Sequence, residues 1–219
     1  MSGELLRKEL RQDILDELDF EPSVKAANIG VAVENGVVTL TGHVSSYAEK
    51  IAAEQAVRRV KGVRAIAQEI EVRFPSDKKT ADDEIAKRAL DILRWSLVSS
   101  EAIKLTVHSG LITLSGEMEW QYQKKAAEDA VRKLSGIVGV INNIKIKPQV
   151  SVLDLKQKIE DALKRSAEVE ARAIRVTVRD GGNILLEGKV HDWMERDVVE
   201  NAAWSAPGVT TVEDRMTIM

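Results

Sequence analysis

The chain has 219 residues, 44% of them hydrophobic and 31% charged, with a formal net charge of −3 and no cysteine. That composition is globular, and the lack of cysteine excludes disulfides, thiolate nucleophiles and thiolate metal sites. No apolar run approaches the roughly eighteen residues of a spanning helix, and the negative total argues against a general nucleic-acid binder.

The opening MSGELLRKELRQDILDEL mixes charges with leucines and lacks the apolar core and cleavage site of a secretory signal, so a cytoplasmic location is expected. Leu6, Leu10, Ile14 and Leu18 recur at helical spacing and predict an amphipathic helix. Ile29, Val31 and Val33 then alternate as a half-buried strand, and ENG follows, with Gly36 supplying the positive φ of a tight hairpin. The next stretch, VVTLTGHV, is the second strand, with Val38 and Leu40 on the core face. Gly42 is placed at its end, where the missing Cβ lets the chain turn sharply or lets the following helix pack close. A second helix carries Ala52, Ala53, Ala56 and Val57 inward; Gly62 is its C-cap, and a third strand bears Ile70 and Val72.

The same order is written twice more. GVVTLTGHV (36–44) is echoed by GLITLSGEM (110–118) and GNILLEGKV (182–190). Gly42, Gly116 and Gly188 are each followed twenty residues later by Gly62, Gly136 and Gly208. In the second copy the inward residues are Ile85, Ala89 and Leu93, then Ile103, Leu105 and Val107, with Gly110 in the turn. In the third they are Val152, Leu155, Ile159 and Leu163, then Ile174, Val176 and Val178, with Gly181 and Gly182 in the turn. The fold class is therefore α+β: three tandem α-β-β-α-β units, each a three-stranded mixed sheet covered on one face by two helices, over 1–74, 80–148 and 151–219. The polar segments 73–83 and 147–151, with Pro75 and Pro148, read as linkers.

VAVENGVVTLTGHV with VKGVRAIAQEIEV, LTVHSGLITLSGEM with LSGIVGVINNIKI, and VTVRDGGNILLEGKV with APGVTTVEDRMTI together resemble the BON domain, named for bacterial osmotically inducible and nodulation proteins. The resemblance implies a non-enzymatic module that binds phospholipid surfaces peripherally and serves envelope protection or the osmotic stress response. It is transport-associated, needs no cofactor, and is exported in many relatives. A protein-interaction or assembly scaffold, whose repeats pair within or between chains without lipid, is the competing reading.

Residue chemistry is sparse. His43, His108 and His191 form no metal-ligand spacing and are read as surface residues; the carboxylates sit at helix starts or on exposed faces, with none expected to be buried at matching positions; the glycines form no nucleotide loop. No catalytic, cofactor or metal residue is assigned. Gln68, Asn142 and Asp214 share the core-facing parity of strand three, which suggests a later strand start or a bulge in which the side chain binds backbone, with a ligand site as the alternative.

Tyr47, Trp120, Tyr122 and Trp193 cluster between strand two and helix two, where they can sit at lipid headgroup level or seal a gap between units. Trp95 and Trp204 fall on helical stripes and are expected in core or interface. The units carry net charges of −2, +2 and −3, and the cationic middle one places Lys124, Lys125, Arg132 and Lys133 beside Trp120 and Tyr122, the pattern of peripheral binding to anionic lipid. Glu128 and Asp129 on the same helix dilute it, as on an ordinary solvated face.

Overall fold

The structure, a computed structural model, describes residues 3–74, 80–95, 103–147, 154–166 and 173–219. The first repeat comprises α1 (Gly3–Phe20), β1 (Ile29–Glu34), β2 (Val37–Val44), α2 (Tyr47–Arg59), β3 (Ala65–Gln68) and β4 (Glu71–Val72). The second comprises α3 (Asp82–Trp95), β5 (Ile103–His108), β6 (Leu111–Met118), α4 (Gln121–Arg132) and β7 (Gly139–Ile146). The third comprises α5 (Leu155–Arg165), β8 (Ile174–Arg179), β9 (Asn183–Val190), α6 (Trp193–Trp204) and β10 (Thr211–Ile218). The α+β architecture of three repeats, each with its own sheet, is as the glycine spacing predicts. Val152 lies outside the described residues, as do 75–79 of the first linker and 148–151 of the second; Asp82 and Asp83, read as linker, form the first turn of α3, where carboxylates favour the helix dipole.

In the first repeat β1 and β2 pair antiparallel, with Val31 opposite Leu40 and Val33 opposite Val38, and β2 pairs parallel with β3. The third repeat repeats this: β8 and β9 are antiparallel, β9 and β10 parallel. The core follows from the period-two pattern meeting the helical stripes. Val31, Val33, Val38 and Leu40 pack with Ile14 and Leu18 of α1 and with Ala53, Ala56 and Val57 of α2. Leu186 and Val190 pack with Ile159, Leu163, Val199 and Ala203 in the third repeat. The small residues on α2 and α6 bring helix and sheet close.

Each hairpin turn takes two successive left-handed residues: Asn35 and Gly36 (φ 51 and 81), Ser109 and Gly110 (50 and 78), Gly181 and Gly182 (74 and 77). In the first two repeats that is the two-residue primed turn matched to strand twist, while the third connection has one more residue, Asp180. The turn is also docked. The carbonyl of Gly36, Gly110 or Gly182 accepts from the N–H of Arg64, Val138 or Thr210 at 2.8, 2.9 and 2.9 Å, fixing it against the chain that leaves the second helix.

The strand glycines differ from the sequence reading. Gly42 lies within β2 and Gly188 within β9, each two residues before the strand ends, so neither turns the chain into a helix. A Cβ on Gly42 would lie 2.1 Å from the carbonyl oxygen of Asn28, and one on Gly188 2.1 Å from that of Ala173. The close neighbour is the backbone entering the first strand, not a helix.

Candidate functional site

The corner between the second strand and the second helix is built by a capping arrangement. Ser46 caps α2, its hydroxyl accepting from Glu49 N–H at 3.1 Å. The Glu49 carboxylate reaches back to Ser45, accepting from its N–H at 2.9 Å and its hydroxyl at 2.8 Å, and accepts from Lys25 N–H at 3.0 Å. In the third repeat Asp192 caps α6 through Glu195 N–H at 2.8 Å, and Glu195 accepts from His191 N–H at 2.7 Å. In the second, Gln123 does the work, accepting from Trp120 N–H at 3.0 Å.

Glu49 and Glu195 are each only 6% exposed. The expectation that no carboxylate is buried at matching positions is therefore wrong, because a helix start offers a carboxylate enough N–H donors to replace water. Burial alone would raise the Glu49 carboxyl, but the hydrogen bonds from Ser45 and Lys25 outweigh it and hold it below the ordinary carboxylate value. Of the histidines read as surface residues, His108 and His191 are exposed and His43 is half-buried; the His191 ring also lies 2.8 Å from Glu195.

The recurring polar position of the third strand is a backbone ligand. Gln68 accepts from Ile70 N–H and Asn142 from Ile144 N–H, both at 3.2 Å, and Asp214 accepts from Met216 N–H at 2.7 Å. There is no bulge, since Leu40 pairs with Gln68 and His43 with Glu71 at one constant offset. The N–H groups of Glu69 and Arg73 donate to Leu40 and Val44 on β2, so alternation turns Ile70 N–H outward, on the sheet edge. The side chain two residues earlier takes it, which blunts that edge.

Of the aromatic and basic residues singled out, Tyr47, Trp120 and Trp193 are half-buried at the helix starts, and Tyr122 is 65% exposed. Along α4, Tyr122 and Lys125 stand three residues apart on an outward stripe, which the exposed Lys133 extends just past the helix; Arg132 and Asp129 lie along the same stripe but are half-buried. Lys124 is on another face. It is half-buried, its carbonyl accepts from Asn142 Nδ2 at 3.0 Å, and that amide also donates to Glu128 at 3.0 Å. Trp120, Gln121, Tyr122 and Lys125 line a cavity of about 550 Å³ with Asn201, Trp204 and Ser205. Trp193 carries the Arg196 guanidinium 5.2 Å from its ring centre. Trp204 packs on its core as expected, but Trp95 is 90% exposed. It is the last residue of α3, past the inward stripe that ends at Leu93.

The BON domain model matches residues 7–73, 81–148 and 151–219. The chain belongs to the BON domain family. Osmotically-inducible protein Y of Escherichia coli (strain K12) is 28% identical over 134 residues, an alignment spanning 57% of this BON chain and 65% of that protein. Two solved structures of CdsD, a structural protein of the type III secretion system of Chlamydia trachomatis, match at 16% and 15% identity. They cover 96% of this chain and 92% and 98% of their own, with a TM-score of 0.26 in both, too low to bear on fold or function. Among the described residues of the BON repeats, no helix is long and apolar enough to cross a membrane.

Proposed function

We propose that this triple-BON chain is a non-enzymatic protein that binds anionic phospholipid surfaces peripherally through its middle repeat, inside the cell, as part of an osmotic or envelope stress response. The stress role is suggested by the name of the Escherichia coli relative. The observation that carries the lipid reading is the outward stripe of α4, where a largely exposed Tyr122 stands with the exposed Lys125 and Lys133 and a half-buried Arg132. An amphipathic ring among cations suits the headgroup layer, and each cation near an anionic surface contributes up to about 1 kcal/mol. Asp129 offsets part of this, so binding is weak and falls with salt.

Co-sedimentation with vesicles tests it. Protein should pellet with phosphatidylglycerol vesicles at low salt, and stay in the supernatant with neutral phosphatidylcholine vesicles or at high salt. Equal behaviour with both lipids overturns the reading. The cavity lined by Trp120, Trp204 and their neighbours favours a second reading, an assembly scaffold whose aromatic corners are covered by protein. In that case light scattering shows mass rising with concentration and lipid has no effect.

A further inference from the structure

The seam between the second helix and the third strand carries Gln68, Asn142 or Asp214 at one repeat position, and the second and third repeats differ there by one substitution of consequence. In the second repeat Asn142 accepts from Ile144 N–H through Oδ1 and donates to Glu128 through Nδ2. The amide supplies both the acceptor the strand edge needs and the donor the carboxylate needs. In the third repeat these positions are Asp214 and Glu200. Asp214 Oδ1 accepts from Met216 N–H at 2.7 Å, its Oδ2 is bonded to Arg196 Nε, and the same Nε lies 4.0 Å from Glu200 Oε1, so the two carboxylates flank one guanidinium. Two ionised carboxylates have no donor to share, so a hydrogen bond between them requires a proton. That proton takes the place of the Asn142 amide hydrogen.

We infer that Asp214 and Glu200 form a proton-binding clasp that fastens α6 to β10 and makes the stability of the third repeat depend on pH. The surroundings fit. Asp214 is 10% exposed, and Arg196 can balance only one of the two negative charges, its Nε lying 4.0 Å from Glu200. Asp197 of α6 adds a further negative charge acting on Glu200. Of the other elements packed against α6, α5 turns Leu155, Ile159 and Leu163 inward and β9 turns Leu186 and Val190. Burial first, then the Asp214 hydrogen bond and charge, push the Glu200 carboxyl up to about 7, whereas hydrogen bonds from Glu200, Met216 and Arg196 hold Asp214 below its usual value despite burial. The proton of the pair thus rests on Glu200.

The sign follows from linkage. The folded third repeat holds a proton that the unfolded chain releases above its ordinary value of 4.5, so stability falls as pH rises from there to about 7 and is level beyond. Within that window each pH unit lowers the folding equilibrium by up to about tenfold, and with the Glu200 side chain 36% exposed the window is narrower than full burial would give.

The experiment is a carboxyl ¹³C titration of the full chain, followed by urea unfolding of wild type and Asp214→Asn at about pH 5 and about pH 7.5. The Glu200 carboxyl should titrate near neutrality, and in Asp214→Asn it should return to the ordinary carboxylate range, as the new amide donates to it. The wild-type third repeat should unfold at lower urea at the higher pH, and the variant should lose that difference. A wild-type Glu200 midpoint below about 5 overturns the clasp, as does a near-neutral midpoint left in place by Asp214→Asn. Should the variant fail to fold, the wild-type titration decides alone.

Discussion

Gly181 and Gly182 allow the docking of the hairpin turn to be measured apart from its conformational cost. Both have left-handed backbones, at φ 74 and 77, so alanine at either position incurs about 1–2 kcal/mol for the conformation itself. The spaces around them differ. A Cβ on Gly181 would find its nearest neighbour, Asn183 Nδ2, at 3.7 Å, an ordinary contact. A Cβ on Gly182 would fall 2.0 Å from the carbonyl oxygen of Gly208 and 3.4 Å from Thr210 N. That overlap of more than about 1 Å must be relieved by moving backbone, at about 1–3 kcal/mol. It also strains the 2.9 Å bond from Thr210 N–H to Gly182 O, worth about 1 kcal/mol. Gly182→Ala should therefore destabilise the third repeat by about 2–4 kcal/mol more than Gly181→Ala. A unit of about 70 residues has only about 3–10 kcal/mol in all. Calorimetry of the two variants should show the third repeat melting at least about 8 °C lower in Gly182→Ala. Equal melting temperatures would refute the docking, leaving positive φ as the whole role of the glycine.

Glu49→Ala removes the acceptor for three donors at a buried helix start and should cost the first repeat about 2–4 kcal/mol by urea unfolding. Because the folded Glu49 carboxyl lies below its ordinary value of 4.5, its contribution is in place above that pH and is lost as pH falls through the folded value. Thermal melts taken down to about pH 3 should accordingly drop more steeply for wild type than for Glu49→Gln. Trp95→Ser should change the stability of the second repeat by less than about 0.5 kcal/mol by the same melts, since the ring is 90% exposed.

Much of the fold is legible in the sequence because the constraints that fix it are local. Alternating Ile29, Val31 and Val33, a left-handed Gly36, and a second alternating run leave one hairpin, and three copies in one register remove the remaining ambiguity. Contacts between distant segments are not written locally. Nothing near Gly188 says that the Ala173 carbonyl passes 2.1 Å from its Cβ position. Glu200 and Asp214 sit on different elements, and only the folded seam joins them. The buried caps had a signal: SSYAE (45–49) and HDWME (191–195) each place Ser or Asp three residues before Glu at a helix start. Trp95 departs from the expectation because it stands two residues past the last inward position, Leu93. For the proposed surface, periodicity groups Tyr122, Lys125 and Arg132, whereas setting Lys124 apart required seeing Asn142 bonded to its carbonyl.

That separation gives the most direct test of lipid binding through the middle repeat. Fraction bound to phosphatidylglycerol vesicles at low salt should be compared for wild type, a Lys125→Glu, Lys133→Glu variant on the outward stripe, and Lys124→Glu. The outward pair should lower affinity at least tenfold, as loss and reversal of two surface cations cost more than about 1.4 kcal/mol, with Lys124→Glu having the smaller effect. Unchanged binding by the outward pair, with all three proteins folded, would contradict the account.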